Sequence, residues 1–203
     1  MLTCRWPSDN VRTALPANGC NRNLINFCSA CGSAVSERVP PGDNRPRAVC
    51  DACGHIHYLN PKIVAGCVPV WGDRILMCKR AIEPRYGKWT LPAGFMENNE
   101  TAAEGAAREA LEEANAKVEI TELYTLYSIP HISQVYLMFL AKLLDPDVSP
   151  GEESLEVKLV TEDEIPWDQL AFAMVRLTLQ NFLQDRKTGI FIPRTGDIRP
   201  PER

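Results

Sequence analysis

The stretch that decides the fold is residues 94–116, GFMENNETAAEGAAREALEEANA. It leaves a strand-like segment, crosses a loop and runs into a predicted helix. Helical spacing places Glu109, Glu112 and Glu113 on one face of that helix. Like charges at this spacing repel each other and destabilise a helix, so a purely structural role does not explain them. A divalent cation reverses the argument, because Mg²⁺ and Mn²⁺ prefer hard oxygen ligands. The sequence therefore predicts a metal-binding face.

The start and the buried face of this helix are also encoded locally. Thr101 is the predicted N-cap, and Glu104 completes a capping box three residues later. Small side chains that recur at helical spacing opposite the acidic face would let the helix lie close against a sheet; they are Ala103, Ala106, Ala107, Ala110 and Ala114.

The segments around the helix predict that sheet. Runs of β-branched and apolar residues predict a hairpin followed by longer strands, and a second amphipathic helix comes near the end. The predicted strands are residues 62–71, 74–80, 117–129, 133–144 and 155–161, and the second helix is residues 169–186. Strands interleaved with helices predict the α/β class.

Two C-x2-C pairs precede the sheet, and 18 residues separate them. Cys28, Cys31, Cys50 and Cys53 have the spacing of a structural four-cysteine zinc site. The polar, Pro-rich stretch between the pairs cannot build a core, so metal would supply the folding free energy. Disulfides are the alternative, and a reducing compartment disfavours them.

Length and composition limit the remaining possibilities. A chain of 203 residues with 45% apolar and 24% charged residues suits one buried domain plus a small module. The net charge of −4 argues against a broad nucleic-acid surface. Without an apolar run of about 18 residues or an N-terminal h-region, we expect a cytoplasmic protein. The predicted organisation is a tail (1–23), a ribbon (24–60), a main domain (61–190) and a C-terminal tail (191–203).

The acidic stretch resembles a known family signature, the Nudix box G-x5-E-x7-R-E-U-x-E-E-x-G-U, where U is a bulky aliphatic residue. The matching positions are Gly94, Glu100, Arg108, Glu109, Glu112 and Glu113. Asn115 replaces the box glycine, and Ala116 replaces the final aliphatic residue. Because asparagine tolerates a left-handed backbone better than most residues, we expect the turn after the helix to be retained.

A ribbon placed before such a domain is similar to the NADH pyrophosphatase branch of that family. The branch carries S-Q-P-W-P-F-P-x-S after the box, whereas residues 127–136 here read YSIPHISQVY. Residues 27–182 instead resemble zinc-ribbon Nudix enzymes described as FAD and ADP-ribose pyrophosphatases. The resemblance implies an α/β/α sandwich with a mixed sheet, preceded by the four-cysteine zinc ribbon.

Nudix enzymes hydrolyse a nucleoside diphosphate linked to another moiety. The resemblance implies cleavage of FAD to FMN and AMP, and/or of ADP-ribose to AMP and ribose 5-phosphate, with Mg²⁺ or Mn²⁺ as cofactor. Such ions bind phosphate oxygens and lower the pKa of the attacking water. The implied metal ligands are Gly94 through its carbonyl, Glu109, Glu112, Glu113 and Glu156, and Arg108 is expected to orient the carboxylates through ion pairs with Glu100 or Glu104.

The general base and the substrate contacts are less constrained by the sequence. Nudix enzymes take the base either from the box, where Glu109 and Glu112 are candidates, or from a later loop. The later candidates are Glu152, Glu153 and Glu156. The predicted substrate-binding residues are Arg80 and Phe95, with Tyr86, Tyr127 and Phe172 as further aromatic candidates.

Three alternative functions stay open at this point. An NADH or NAD pyrophosphatase would share the chemistry, and so would removal of NAD caps from RNA, which needs a basic path to the site. A non-catalytic nucleotide sensor would not need all three helix carboxylates, so their presence favours an enzyme. The expected partner is a small-molecule dinucleotide, with a homodimer suggested by family analogy and neither membrane nor nucleic acid expected.

Overall fold

The computed structural model describes residues 25–200, and the predicted tail at residues 1–23 lies outside them. The chain divides into two compact units, of which the first ends at Leu59 and the second begins at Asn60. Each unit is described by itself below. Among residues 25–200, helices of the length and apolarity required to cross a bilayer are absent.

The first unit is a small antiparallel sheet built around the cysteine pairs. Its strands are β1 (Val35–Arg38), β2 (Arg47–Cys50) and β3 (Ile56–His57), in the order β1-β2-β3. Gly32 and Gly54 directly follow the two pairs and have φ of +74° and +72°. Glycine adopts this left-handed backbone without strain, so each turn directs both thiols of its pair inward.

The second unit is built on a mixed sheet. Its elements are β4 (Lys62–Trp71), β5 (Arg74–Arg80), β6 (Trp89–Thr90), β7 (Ala93–Phe95), α1 (Ala102–Ala114), β8 (Val118–Ile129), β9 (Gln134–Leu143), β10 (Ser154–Val160), α2 (Ala173–Thr188) and β11 (Arg194–Asp197). The sheet order is β10-β5-β4-β9-β8-β11, with β6 on β5 and β7 on β4. The pairs β4–β9 and β8–β11 are parallel, and the others are antiparallel.

One helix covers each face of this sheet, which confirms the α/β/α sandwich. Successive side chains of a strand point to opposite faces of the sheet, so adjacent residues of β5 pack in the two different hydrophobic cores. Met77 packs with Leu179 and Phe182 of α2. Leu76 packs with Ala110 of α1, and Ala106, Ala110 and Ala114 are fully buried against the sheet, whereas Ala103 and Ala107 are half-buried.

The two ends of α1 form as the sequence predicts. The Thr101 side chain accepts a hydrogen bond from the Glu104 backbone N–H, and Glu104 accepts one from the Thr101 N–H. At the other end Asn115 has φ of 49°, and its N–H donates to the Leu111 carbonyl at 2.8 Å. Asparagine therefore replaces the box glycine without loss of the turn.

The last part of the chain differs from the expected C-terminal tail. Arg194–Asp197 forms β11, which pairs in parallel with β8 at an edge of the sheet. A buried carboxylate fixes this strand: Asp185 of α2 pairs with Arg194 and accepts a hydrogen bond from the Tyr124 hydroxyl. Part of residues 191–203 thus belongs to the sheet.

Candidate active site

A close approach between β7 and α1 forms the centre of the site. Gly94 pairs with Ala65 of β4, and its α-carbon lies against the carboxylate of Glu109. A β-carbon at residue 94 would overlap that carboxylate. Glycine therefore lets the β7 backbone lie beside the acidic face of α1.

Arg108 organises the carboxylates around it. It donates to both oxygens of Glu100 at 2.8 and 3.0 Å, to Glu109 at 2.7 Å and to Glu112 at 3.0 Å. Its Nη2, which is one of the two donors to Glu100, also donates to the Phe95 carbonyl at 3.1 Å. The hydrogen bonds of Arg108 lower the pKa of Glu100 to about 2. Of the two predicted ion-pair partners, Glu100 is therefore the one used, while Glu104 caps the helix.

Glu113 is the most buried carboxylate of the acidic face. Its side chain is 5% exposed, and its Oε2 has no hydrogen-bond partner among residues 25–200. Burial, followed by the charge of Glu109, raises the pKa of Glu113 to about 8. Burial also raises the pKa of Glu109, although Arg108 opposes the rise. These are carboxylates that gain from a nearby cation.

A loop that docks on the end of α1 brings another carboxylate to the site. The Ser149 N–H donates to the Ala114 carbonyl at 3.1 Å, and the Gly151 N–H donates to the Glu113 carbonyl at 3.0 Å. A β-carbon at Gly151 would overlap the Glu112 carbonyl, so the two backbones are in direct contact. The exposed Glu153 follows in this loop. Burial is the main cause of the raised pKa of Glu109 and Glu113, and the negative charge of Glu153 contributes to the rise.

Glu156 was predicted as a metal ligand, and the structure separates it from the acidic face. Its neighbour Val157 packs in the core under α1, so Glu156 points to the other face of the sheet. There it pairs with Lys158 at 2.7 Å and with Lys79 at 3.5 Å. A register shift between Ser154 and Glu156 makes the facing of these residues hard to read from the sequence.

Arg80, a predicted substrate contact, lies beside the carboxylates. Its guanidinium stacks over the Phe172 ring at 5.2 Å, and its Nε donates to the Pro84 carbonyl at 2.9 Å. Burial and the charge of Glu109 raise the pKa of Glu113, and the positive charge of Arg80 offsets part of this rise. Burial also raises the pKa of Tyr136, and Arg80 again offsets part of the rise. Among residues 25–200 it forms no ion pair, and its two terminal nitrogens have no acceptor. This cation is therefore held in place with free donors.

The other aromatic candidates are placed differently. Phe95 is 47% exposed, and the Lys62 amine lies 4.9 Å from its ring centre. Tyr86 is exposed on the loop after β5. Tyr127 is buried and accepts a hydrogen bond from Asn181. Phe172 is the one whose ring contacts Arg80.

The donor set of the acidic face suits a hard divalent cation. It offers carboxylate oxygens, and these ligands favour Mg²⁺ or Mn²⁺. Within residues 25–200, the cysteine cluster is the one group of three or more candidate ligands whose atoms all lie within 4.8 Å. The carboxylates of α1 do not all lie within that distance, so one cation there would bind some of them directly and take water or phosphate oxygens as its other ligands.

The four ribbon cysteines lie together as predicted. Sγ–Sγ separations are 3.8 Å for Cys28–Cys53, 3.4 Å for Cys31–Cys50 and 3.5 Å for Cys31–Cys53. Tetrahedral zinc with Zn–S bonds of about 2.3 Å requires sulfurs about 3.8 Å apart. The cluster therefore fits a structural zinc ion after a small adjustment.

The fold and the acidic site agree with the family comparisons. A family model described as NUDIX domain matches residues 60–180, more than half of the chain, and one described as Nudix N-terminal matches residues 26–59. The chain belongs to the Nudix hydrolase family. A NUDIX hydrolase from Nitrosomonas europaea has a similar solved structure, with 56% identity, a TM-score of 0.85 and coverage of 87% of this chain and 100% of that one.

Curated relatives with named activities fall into two kinds. An ADP-ribose pyrophosphatase from Methanocaldococcus jannaschii is 27% identical over 57% of this chain and 69% of its own length. An NAD-capped RNA hydrolase, NudC, from Photobacterium profundum is 31% identical over 64% of this chain and 47% of its own length. The chain thus spans about half the length of that second relative.

Proposed function

We propose that the protein is a Mg²⁺- or Mn²⁺-dependent pyrophosphatase whose substrate is a dinucleotide, ADP-ribose and/or FAD. One observation carries the proposal: α1 presents partly buried carboxylates with raised pKa values beside a cation that has free donors. A bound cation would stabilise the charged form of these carboxylates, and the free donors of Arg80 suit an anion. A metal-bound diphosphate supplies both.

The proposed reaction assigns a separate role to each group of residues. Glu109, Glu112, Glu113 and the Gly94 carbonyl would hold the cation, which when bound neutralises the diphosphate and lowers the pKa of the attacking water. Arg108 keeps Glu109 and Glu112 oriented through its hydrogen bonds.

Arg80 is suited to hold a phosphate oxygen pair. A guanidinium binds two oxygens through parallel N–H groups, and stacking on Phe172 fixes the plane of that fork. We expect it to orient the diphosphate against the carboxylates of α1.

Glu153 is the general base that the geometry favours among the loop candidates. It lies near Glu109 and Glu113, whereas Glu156 is paired with lysines on the opposite face. An exposed carboxylate at that place can accept the proton of a water that attacks phosphorus. Glu112, with 58% of its side chain exposed, is the candidate from the helix.

Among dinucleotides, ADP-ribose has the support of a relative's name, and FAD rests on the resemblance of the sequence. NADH is the second candidate, because NAD-capped RNA hydrolases are among the relatives. The S-Q-P-W-P-F-P-x-S array of the NADH branch is absent from residues 127–136. We further propose a structural zinc in the ribbon and a cytoplasmic location; a homodimer stays a proposal by analogy.

A substrate panel tests the proposal. The purified full chain is incubated with Mg²⁺ and, in turn, ADP-ribose, FAD, NADH and nucleoside triphosphates, and AMP release is measured with and without EDTA. We expect EDTA-sensitive AMP release from ADP-ribose or FAD. If NADH is the preferred substrate, the protein is an NADH pyrophosphatase, the second candidate. If no dinucleotide is hydrolysed, the proposed pyrophosphatase activity is refuted. Metal analysis of the same sample should give one zinc per chain.

A further inference from the structure

The inner side of the Glu113 carboxylate meets two polar groups that the proposed reaction does not use. Cys78 of β5 is 1% exposed, and Ser154 at the start of β10 is 8% exposed. The Cys78 thiol faces both the Glu113 carboxylate and the Ser154 hydroxyl. Oε2 of Glu113 and Oγ of Ser154 are buried and lack a hydrogen-bond partner among residues 25–200.

The fold brings these three groups together from three separate elements. Cys78 belongs to the core that packs under α1. The Ser154 N–H donates to the Gly151 carbonyl at 3.1 Å, and Gly151 is itself bonded to the Glu113 backbone. Ser154 pairs with Arg80 just before the register shift in β10. The serine is therefore fastened beside the glutamate by the same loop that carries Glu153.

Hydrogen-bond chemistry indicates what these groups do. A thiol and a hydroxyl each carry one donor hydrogen, and a carboxylate oxygen in a dry core needs a donor. Because water does not reach the inner oxygen, a cation with its own water ligands would bind the outer one. A hydrogen bond from either donor would satisfy the orphaned Oε2 of Glu113.

We propose that Cys78 and Ser154 are positioning residues for cation binding: they donate hydrogen bonds to the inner oxygen of Glu113 and so hold its outer oxygen toward the metal. The proposal rests on the proposed function, in which Glu113 is a metal ligand. Neither side chain touches the substrate or the cation itself.

Mn²⁺ binding to the zinc-loaded full chain, measured by electron paramagnetic resonance of the free ion, tests this directly. Cys78→Val and Ser154→Ala should each raise the Mn²⁺ Kd about tenfold, as expected for loss of a hydrogen bond to a charged group. Cys78→Ser retains a donor and should restore most of the affinity. In activity assays the metal concentration for half-maximal rate should rise, while kcat at saturating metal stays within about threefold.

Cys67→Val is the matched control. Cys67 is buried in the same core, but its thiol donates to the Ala106 carbonyl at 3.8 Å. We expect it to keep the wild-type Kd. The proposal is overturned if Cys78→Val binds Mn²⁺ like the wild type, or if Cys67→Val weakens binding equally. If Glu113→Gln itself leaves Mn²⁺ binding unchanged, the proposed metal site fails as well, so the two failures are distinguishable.

Discussion

Gly94 of β7 packs directly against the carboxylate of Glu109 on α1, and a β-carbon at residue 94 would occupy the space of that carboxylate. The acidic face of α1 therefore depends on the absence of a side chain at residue 94 of the neighbouring strand. This relationship joins the sheet, the helix and the proposed chemistry at one point.

Gly94→Ala should strongly impair metal binding for this reason. We expect the methyl group to displace Glu109, with a loss of Mg²⁺-dependent AMP release of about a hundredfold. Gly196→Ala is a matched control in another strand, because its β-carbon would meet the Tyr127 ring at an ordinary contact distance of 3.4 Å. Equal activity of the two variants would show that the contact at Gly94 does not matter for catalysis.

Arg80 should act mainly on substrate affinity. Lysine keeps the charge but loses the planar fork that stacks on Phe172, so Arg80→Lys should raise KM about tenfold with a smaller change in kcat. Arg74→Lys, at the exposed start of the same strand, is the control and should leave both constants unchanged. A wild-type KM in Arg80→Lys would remove this residue from the substrate site.

The buried ion pair of Asp185 and Arg194 should make the stability of the fold depend on pH in the acidic range. The guanidinium and the Tyr124 hydroxyl hold the pKa of Asp185 below its usual range. A carboxylate with a lowered pKa stabilises the fold above its unfolded-state pKa of about 3.9 and loses this contribution as the pH falls below that value. Breaking the pair with Arg194→Met should lower the free energy of unfolding by about 3 kcal/mol near neutral pH.

Urea unfolding of both proteins measures that pH dependence. The difference in the free energy of unfolding between wild type and Arg194→Met should become smaller as the pH is lowered from about 5 to about 2. Arg199→Met breaks an exposed pair with Asp197 and should change stability by less than about 0.5 kcal/mol. A difference for Arg194→Met that is constant over this pH range would contradict the assigned ion pair.

Local sequence patterns predicted much of this molecule. The capping box at Thr101, the left-handed turn at Asn115 and the acidic face of α1 depend on residues within a few positions of one another, so a single stretch encodes them. The cysteine pairs are similar, since ligand spacing alone indicated the cluster. Strand periodicity likewise predicted β4 and β5.

Features that depend on contacts between distant parts of the chain could not be predicted from local sequence. Glu153 and Glu156 are three positions apart, yet a register shift and the docking of one loop put them on different sides of the sheet. The strand β11 forms because it pairs with β8 and is tied to Asp185 far along the chain. Cys78 lies in a largely apolar strand, and nothing local in the sequence indicates that it faces Glu113.

The rate of AMP release from ADP-ribose or FAD by Glu113→Gln and Glu156→Gln, compared with wild type at saturating Mg²⁺, tests the proposed site most directly. Both changes remove one negative charge, but one residue lies on the acidic face of α1 and the other is paired with lysines on the opposite face. We expect Glu113→Gln to lose about a hundredfold or more in kcat and Glu156→Gln to stay within about threefold of wild type. Wild-type rates in Glu113→Gln, or a larger loss in Glu156→Gln, would contradict a metal site on α1.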